Sequence, residues 1–174
     1  MNSLPVSQTP IREHLALGLE VIAVCLLGMM AGFFFAFAVD IVPAMENLDA
    51  ATYVTVQQWI NRVVRSFTFG AVYFGSTIFP FLAAAVVFWA GGRRRAVAWL
   101  IIAVAYFLAV FWITRTVNIP LNEELALWQP SAPPSDWQKN RDTWNQSNLI
   151  RTVAALSCFI ASTWLITTRK FSRI

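Results

Sequence analysis

Charge is what this sequence has least of. Only 13% of its 174 residues are Asp, Glu, Lys or Arg, against 57% hydrophobic, and the mean hydropathy is +0.57. A water-exposed domain usually carries about 25% charged residues, so the composition argues against a soluble globule. Histidine is reduced to His14 alone. A haem held by two histidines, or a histidine-rich metal cluster, is therefore unavailable within one chain, and no metal or other cofactor is expected. The two cysteines, Cys25 and Cys158, fall mid-way along apolar segments; they read as small packing residues rather than a disulfide framework. Walker loops, GxGxxG turns, CxxC pairs, HExxH and GxSxG are all missing, which sets aside the familiar nucleotide and flavin enzymes. The net charge of +4 sits in short clusters beside apolar runs, not along one polar face, so nucleic acid is not an expected partner. A polar start, residues 1–12, leads into an apolar run too long for a signal-peptide core.

What the chain has in abundance is long hydrophobic runs. They cover 15–39 (interrupted only by Glu20), 67–90, 96–113 and 149–167. Each meets or approaches the ~20 residues a helix needs to cross ~30 Å of hydrocarbon. Period-2 alternation is missing, which leaves helices as the spanning element. The expected fold is an all-α membrane protein: one membrane domain over 1–174, a four-transmembrane-helix bundle with amphipathic helices in the two outer connections.

Orientation follows from the bases. Gly91-Gly92-Arg93-Arg94-Arg95 links runs two and three, and Arg169, Lys170 and Arg173 follow run four. Both ends of the chain are thus expected in the cytoplasm of a bacterial cell, with the protein multi-pass in the plasma (inner) membrane. Gly28 and Gly32 form a GxxxG pattern that permits close helix approach, either to a second copy in a homo-oligomer or to a sister helix. Pro80 should kink run two. Glu20 is a carboxylate inside a span, a residue type found on proton and substrate pathways and also at headgroup level.

The two long connections carry the remaining chemistry. Residues 50–67 place Tyr53, Val56, Trp59, Ile60, Val63 and Val64 at helical spacing and Gln57, Gln58, Asn61, Arg62 and Arg65 opposite. That is an amphipathic helix, lying in the interface or capping the bundle, with Asp49 as its N-cap. The proline-rich stretch 129–135 is a loop. Before it, Arg115, Asn118, Asn122 and Glu123 surround Pro120, which should end or kink run three and open a short helix. After it, Arg141, Trp144, Asn148 and Arg151 share one helix face. Arg151 lies a turn inside run four, where a charge needs a partner or a wet cavity. Asp40 and Glu46 are the expected partners, and the cluster reads equally as a structural ion pair or as a polar pocket opening outward.

Asn118-Ile119-Pro120-Leu121-Asn122 resembles, with Ile119 in place of valine, the NVPLN signature of the anthrone oxygenase-like membrane proteins. The Trp144-x-x-x-Asn148-x-x-Arg151-Thr152 pattern is similar to that family's second signature. Ala31-Gly32-Phe33 through Pro43-Ala44, then Trp59-Ile60-Asn61-Arg62, is similar to its first half. Some members are implicated in oxidising anthrones to anthraquinones without an evident cofactor. The resemblance thus implies a cofactor-free oxygenase acting on an aromatic or polyketide-type molecule, but assigns no role to each position. On chemistry alone, such a site needs a base and a group that stabilises the enolate oxygen. Asp40 or Glu46 could be the base; Arg151, Asn118 and Asn148 could hold the oxyanion. Trp144 could stack on the ring, with Asn122, Arg115 and Glu46 as further binding groups. The competing reading is a non-enzymatic membrane protein that binds a lipid or quinone or stabilises a partner complex. Transport has no support, since no inverted repeat or pair of broken helices is evident.

Overall fold

A computed structural model describes residues 9–169, which contain four helices long and apolar enough to cross a membrane and no strands. Lys170 and Arg173 lie outside the described residues. The spans are Ile11–Met45, Phe67–Trp89, Arg93–Ala126 and Trp137–Thr167. In order along the chain these are α1 (Thr9–Ala36) running on into α2 (Val42–Met45), then the cap helix α3 (Ala50–Val63) and α4 (Phe67–Trp89). α5 (Arg93–Tyr106) runs on into α6 (Ile119–Ala126), and α7 (Trp137–Thr167) completes the set. Around the bundle α1 packs on α4 and α7, and α5 packs on α4 and α7.

Hydrocarbon gives helices no reason to exclude it from one another, so the bundle closes by close contact of small and well-fitted side chains. Ala16, Ala23, Leu27, Ala31, Ala83, Ala155 and Cys158 pack with Trp99 and Tyr106 in the core. Gly28 lets the Phe159 ring approach; a Cβ there would sit 2.9 Å from it. That contact is with a sister helix, while Gly32 meets nothing within 4 Å. Cys25, expected to pack, lies instead on the exposed face of α1. Gly91 closes the turn between α4 and α5 at φ +89°, a conformation that needs glycine.

The basic end is tied by one buried carboxylate. Glu20 is 0% exposed and receives Arg95 Nε, Arg169 and the Trp99 indole N–H, the last at 2.7 Å. Arg95 also donates to the Leu165 carbonyl and Arg169 to that of Glu13. Glu20 is thus enclosed and fully partnered; it clasps α1, α5 and the end of α7.

The opposite end is wider because the helices differ in length. α4 has 23 residues where the other spans have 35, 34 and 31. At 1.5 Å per residue the long ones reach ~46–52 Å, beyond the ~30 Å of hydrocarbon. The gap above α4 is roofed by α3, which has its own small core of Tyr53, Val54, Met45, Leu125 and Trp137. Gln58 pins α3 to α6 through the carbonyls of Leu125 and Trp128, at 3.0 and 2.9 Å. Asp49 caps α3 by accepting from Thr52 N, and that bond lowers its pKa. Burial pushes the Tyr53 phenol up to about 12. The expected faces of α3 are exchanged in part: Gln57 and Asn61 point inward, whereas Trp59 and Val63 are 57% and 70% exposed. A polar interior and an apolar surround at this level reverse the usual amphipathic logic.

Three π-helical turns interrupt the long spans, at Phe37–Ile41, Phe107–Trp112 and Thr114–Asn118. Pro120 does not break its helix; it enters at the first turn of α6, directly after the third π turn. Such turns insert a residue into the helix period and are frequent at functional sites.

The Glu20 clasp makes a quantitative prediction. Glu20→Ala removes the buried carboxylate shared by the partly buried Arg95 and Arg169, and loss of one partner of a buried pair costs about 3–5 kcal/mol. Reversible unfolding in mixed micelles should show a loss of that size, and an unchanged midpoint would mean that the clasp does not hold the bundle.

Candidate functional site

Under α3 and at the start of α4 lies a cavity of about 500 Å³. Its walls bring together Arg115, Asn118 and Asn122 from the end of the third span, and Trp144, Asn148 and Arg151 from α7. Each helix contributes at helical spacing, so one face of each turns to the void.

Arg151 is the centre of the arrangement. It is 5% exposed, donates Nη1 to Thr114 Oγ1 and Nη2 to Asn148 Oδ1, both at 3.0 Å, and makes no carboxylate pair among the described residues. Its guanidinium carbon lies 4.9 Å from the Phe34 ring centre and 5.3 Å from that of Trp144. Cation–π contacts offset part of the desolvation, but they leave the positive charge uncompensated. Trp144 is itself fixed, since its indole N–H donates to Asn122 Oδ1 at 2.9 Å and its ring packs 5.3 Å from Phe37.

Several polar atoms around the void are buried and have no protein partner: Arg151 Nε, Asn148 Nδ2, Asn118 Oδ1 and Asn61 Nδ2. Asn118 Nδ2 is used, donating to Ser147 Oγ at 2.7 Å. Asn118 and Asn148 are each 1% exposed. A buried polar atom left unpaired costs about 1–3 kcal/mol, and all four belong to residues that line this one void. Much of the remaining wall is aromatic, with Phe33, Phe34, Phe37, Phe69, Tyr73 and Phe74.

Two expected residues are elsewhere. Asp40 and Glu46 are exposed, do not line the cavity, and neither pairs with Arg151. The buried face of the first span runs through Met30, Phe34, Phe37, Ile41 and Met45 at ordinary helical spacing, and Asp40 falls to one side of it. Arg141, expected on the stripe, stacks on Trp137 at 5.0 Å and bonds Asp142 at 2.9 Å.

Other cavity residues were given no site role from sequence: Tyr73, Thr114 and Gly70, and also Asn61, Arg65 and Glu123, which were noted only for their place in the two outer connections. A threonine one helical turn before Asn118, on the same face, is the one signal that could have found Thr114. Gly70 and Tyr73 sit in an apolar run that gives no such cue. Among the described residues no three His, Cys, Asp or Glu are grouped so as to hold a metal ion.

Residues 64–161 match the family model described as Anthrone oxygenase. The match covers more than half of the chain. The chain belongs to the anthrone oxygenase family. No curated protein and no solved structure matches it. The matched segment contains every cavity residue named above from α4 onward, and excludes Asp40 and Glu46.

Two substitutions separate a site from a structural cluster in this anthrone oxygenase family member. Arg151→Met removes an uncompensated buried charge, so stability should be unchanged or raised in thermal unfolding; a loss above about 2 kcal/mol would mean a structural pin. A Cβ at Gly70 meets nothing within 4 Å, so Gly70→Leu should fold normally while filling the void. Equilibrium binding of an aromatic ketone should fall at least tenfold in that variant, and undiminished affinity would place the ligand elsewhere.

Proposed function

We propose that this protein is a cofactor-free oxygenase of an enolisable aromatic ketone of the anthrone type, bound in the cavity under α3. The observation that carries this reading is Arg151, a buried guanidinium in the wall of a largely aromatic void, with an unpaired Nε and no counter-ion among the described residues. Loss of a proton from the carbon opposite the ketone moves negative charge onto the carbonyl oxygen. An enolate there would gain the charge-assisted hydrogen bonds that the protein withholds from Arg151. Asn148 Nδ2 is a second donor for the oxygen, and Asn118 Oδ1 can accept from a ring hydroxyl.

The reaction balances without a further reductant. The carbanion form joins O2 at carbon, the adduct takes up a proton as a hydroperoxide, and loss of water with the second C–H proton gives the quinone. Phe34, Phe37 and Trp144 supply flat apolar contact for the rings, and 500 Å³ falls within the range of small-molecule sites. With the arginine-rich end facing the cytoplasm of a bacterial inner membrane, the cavity opens toward the outer face, with Arg65 and Arg115 at its rim.

Oxygen uptake by the purified protein in lipid nanodiscs, with anthrone as substrate, tests the reading. Wild type should consume O2 and release anthraquinone in equal amounts. Arg151→Met should lower kcat/KM by about 10²–10³-fold, the usual effect of removing one oxyanion donor. Absence of uptake above buffer in wild type would remove the substrate class, and equal rates in the variant would remove Arg151 from the chemistry.

A further inference from the structure

An oxyanion cradle alone does not move a proton. Among the described residues that line the cavity there is one carboxylate, Glu123, and the other charged groups there are Arg65, Arg115 and Arg151. Glu123 lies on α6, where Ile119 and Asn122 also turn to the void. Its neighbour Glu124 is engaged elsewhere, accepting from Asn140 Nδ2 at 3.1 Å. The Glu123 side chain makes no salt bridge or hydrogen bond among the described residues and is exposed at the rim, in contrast to the deeply buried Arg151.

We propose that Glu123 is the proton acceptor of this cavity, positioned at its mouth to deprotonate a ring carbon whose ketone oxygen is held at Arg151. The assignment rests on the oxygenase reading above and replaces Asp40 and Glu46 in that role. The two groups stand on different elements, α6 and α7, as the substrate requires, because the acidic methylene and the ketone lie on opposite sides of one ring. α6 is held in place by the Gln58 bonds to Leu125 and Trp128 carbonyls and by Asn140 to the Leu121 carbonyl. In the step itself the C–H bond breaks and its proton passes to a Glu123 carboxylate oxygen. The electron pair delocalises onto the ketone oxygen beside Arg151. After O2 adds at carbon, Glu123 returns the proton to the peroxide, and its second turn as base accompanies loss of water.

Proton transfer can be read apart from oxygenation. Under anaerobic conditions in D2O, wild type in nanodiscs should exchange the methylene hydrogens of anthrone faster than buffer does. Glu123→Gln should lower that exchange about 10²-fold or more, the size general base catalysis supplies, and oxygen uptake should fall in parallel. Affinity for 10,10-dimethylanthrone, which has no proton to lose, should stay within twofold of wild type. Glu123→Asp should recover part of the rate, and Glu124→Gln should exchange at the wild-type rate. Wild-type exchange retained in Glu123→Gln, or lost in Asp40→Asn instead, would overturn the assignment while leaving the oxygenase reading standing. A wild type that does not exceed buffer would overturn both.

Discussion

Hydrocarbon offers no water to a buried polar group, so each one must be satisfied from within the bundle. The two ends of this protein meet that constraint in opposite ways. At the basic end Glu20 is saturated by Arg95, Arg169 and Trp99, so the buried carboxylate has its counter-charges within the packing. At the other end Arg151 has, among the described residues, hydroxyl, amide and ring contacts and no carboxylate. A guanidinium kept in that condition lowers stability, and natural sequences accept such a cost mainly where a ligand restores the balance. The closed end holds the helices so that the open end can remain strained.

Helix length creates the space in which that strain is held. The short α4 leaves a gap beneath α3, and the three long helices continue past it to carry the polar segments. Two π-helical turns border the void, at Phe37–Ile41 and Thr114–Asn118. The second presents Thr114 and Asn118 to the same side, toward Arg151 and Ser147. The cap helix turns amides inward and Trp59 and Val63 outward, while Phe67 at the start of α4 is 91% exposed. A membrane surround accounts for this pattern, and a water surround does not.

Much of this was legible in the sequence, because hydrocarbon thickness imposes a length and a composition that no other fold requires. The four spans, the Asp49 cap and the shared face of Trp144, Asn148 and Arg151 all follow from local spacing. Asp40 was misplaced because it was paired with Arg151 by its level along the span, whereas the face shared by Met30, Phe34, Phe37, Ile41 and Met45 leaves it to one side. The Glu20 clasp joins residues 149 positions apart, and a long-range ion pair leaves no periodic trace. The face of α3 was misjudged because the polarity of its surroundings, rather than its own pattern, decides which side turns inward. Glu123 stood in view, but its relation to the void depends on how α6 is pinned by Gln58 and Asn140.

The central claim is that Arg151 is an anion-ready group at the floor of a ligand site. It is tested most directly by determining the structure of the protein in nanodiscs with 10,10-dimethylanthrone, a ketone that cannot react. The account predicts the ketone oxygen within hydrogen-bonding distance of Arg151 Nε or Asn148 Nδ2, with the rings against Phe34, Phe37 and Trp144. A cavity left empty at saturating ligand, or a ketone bound with its oxygen away from Arg151, would contradict it.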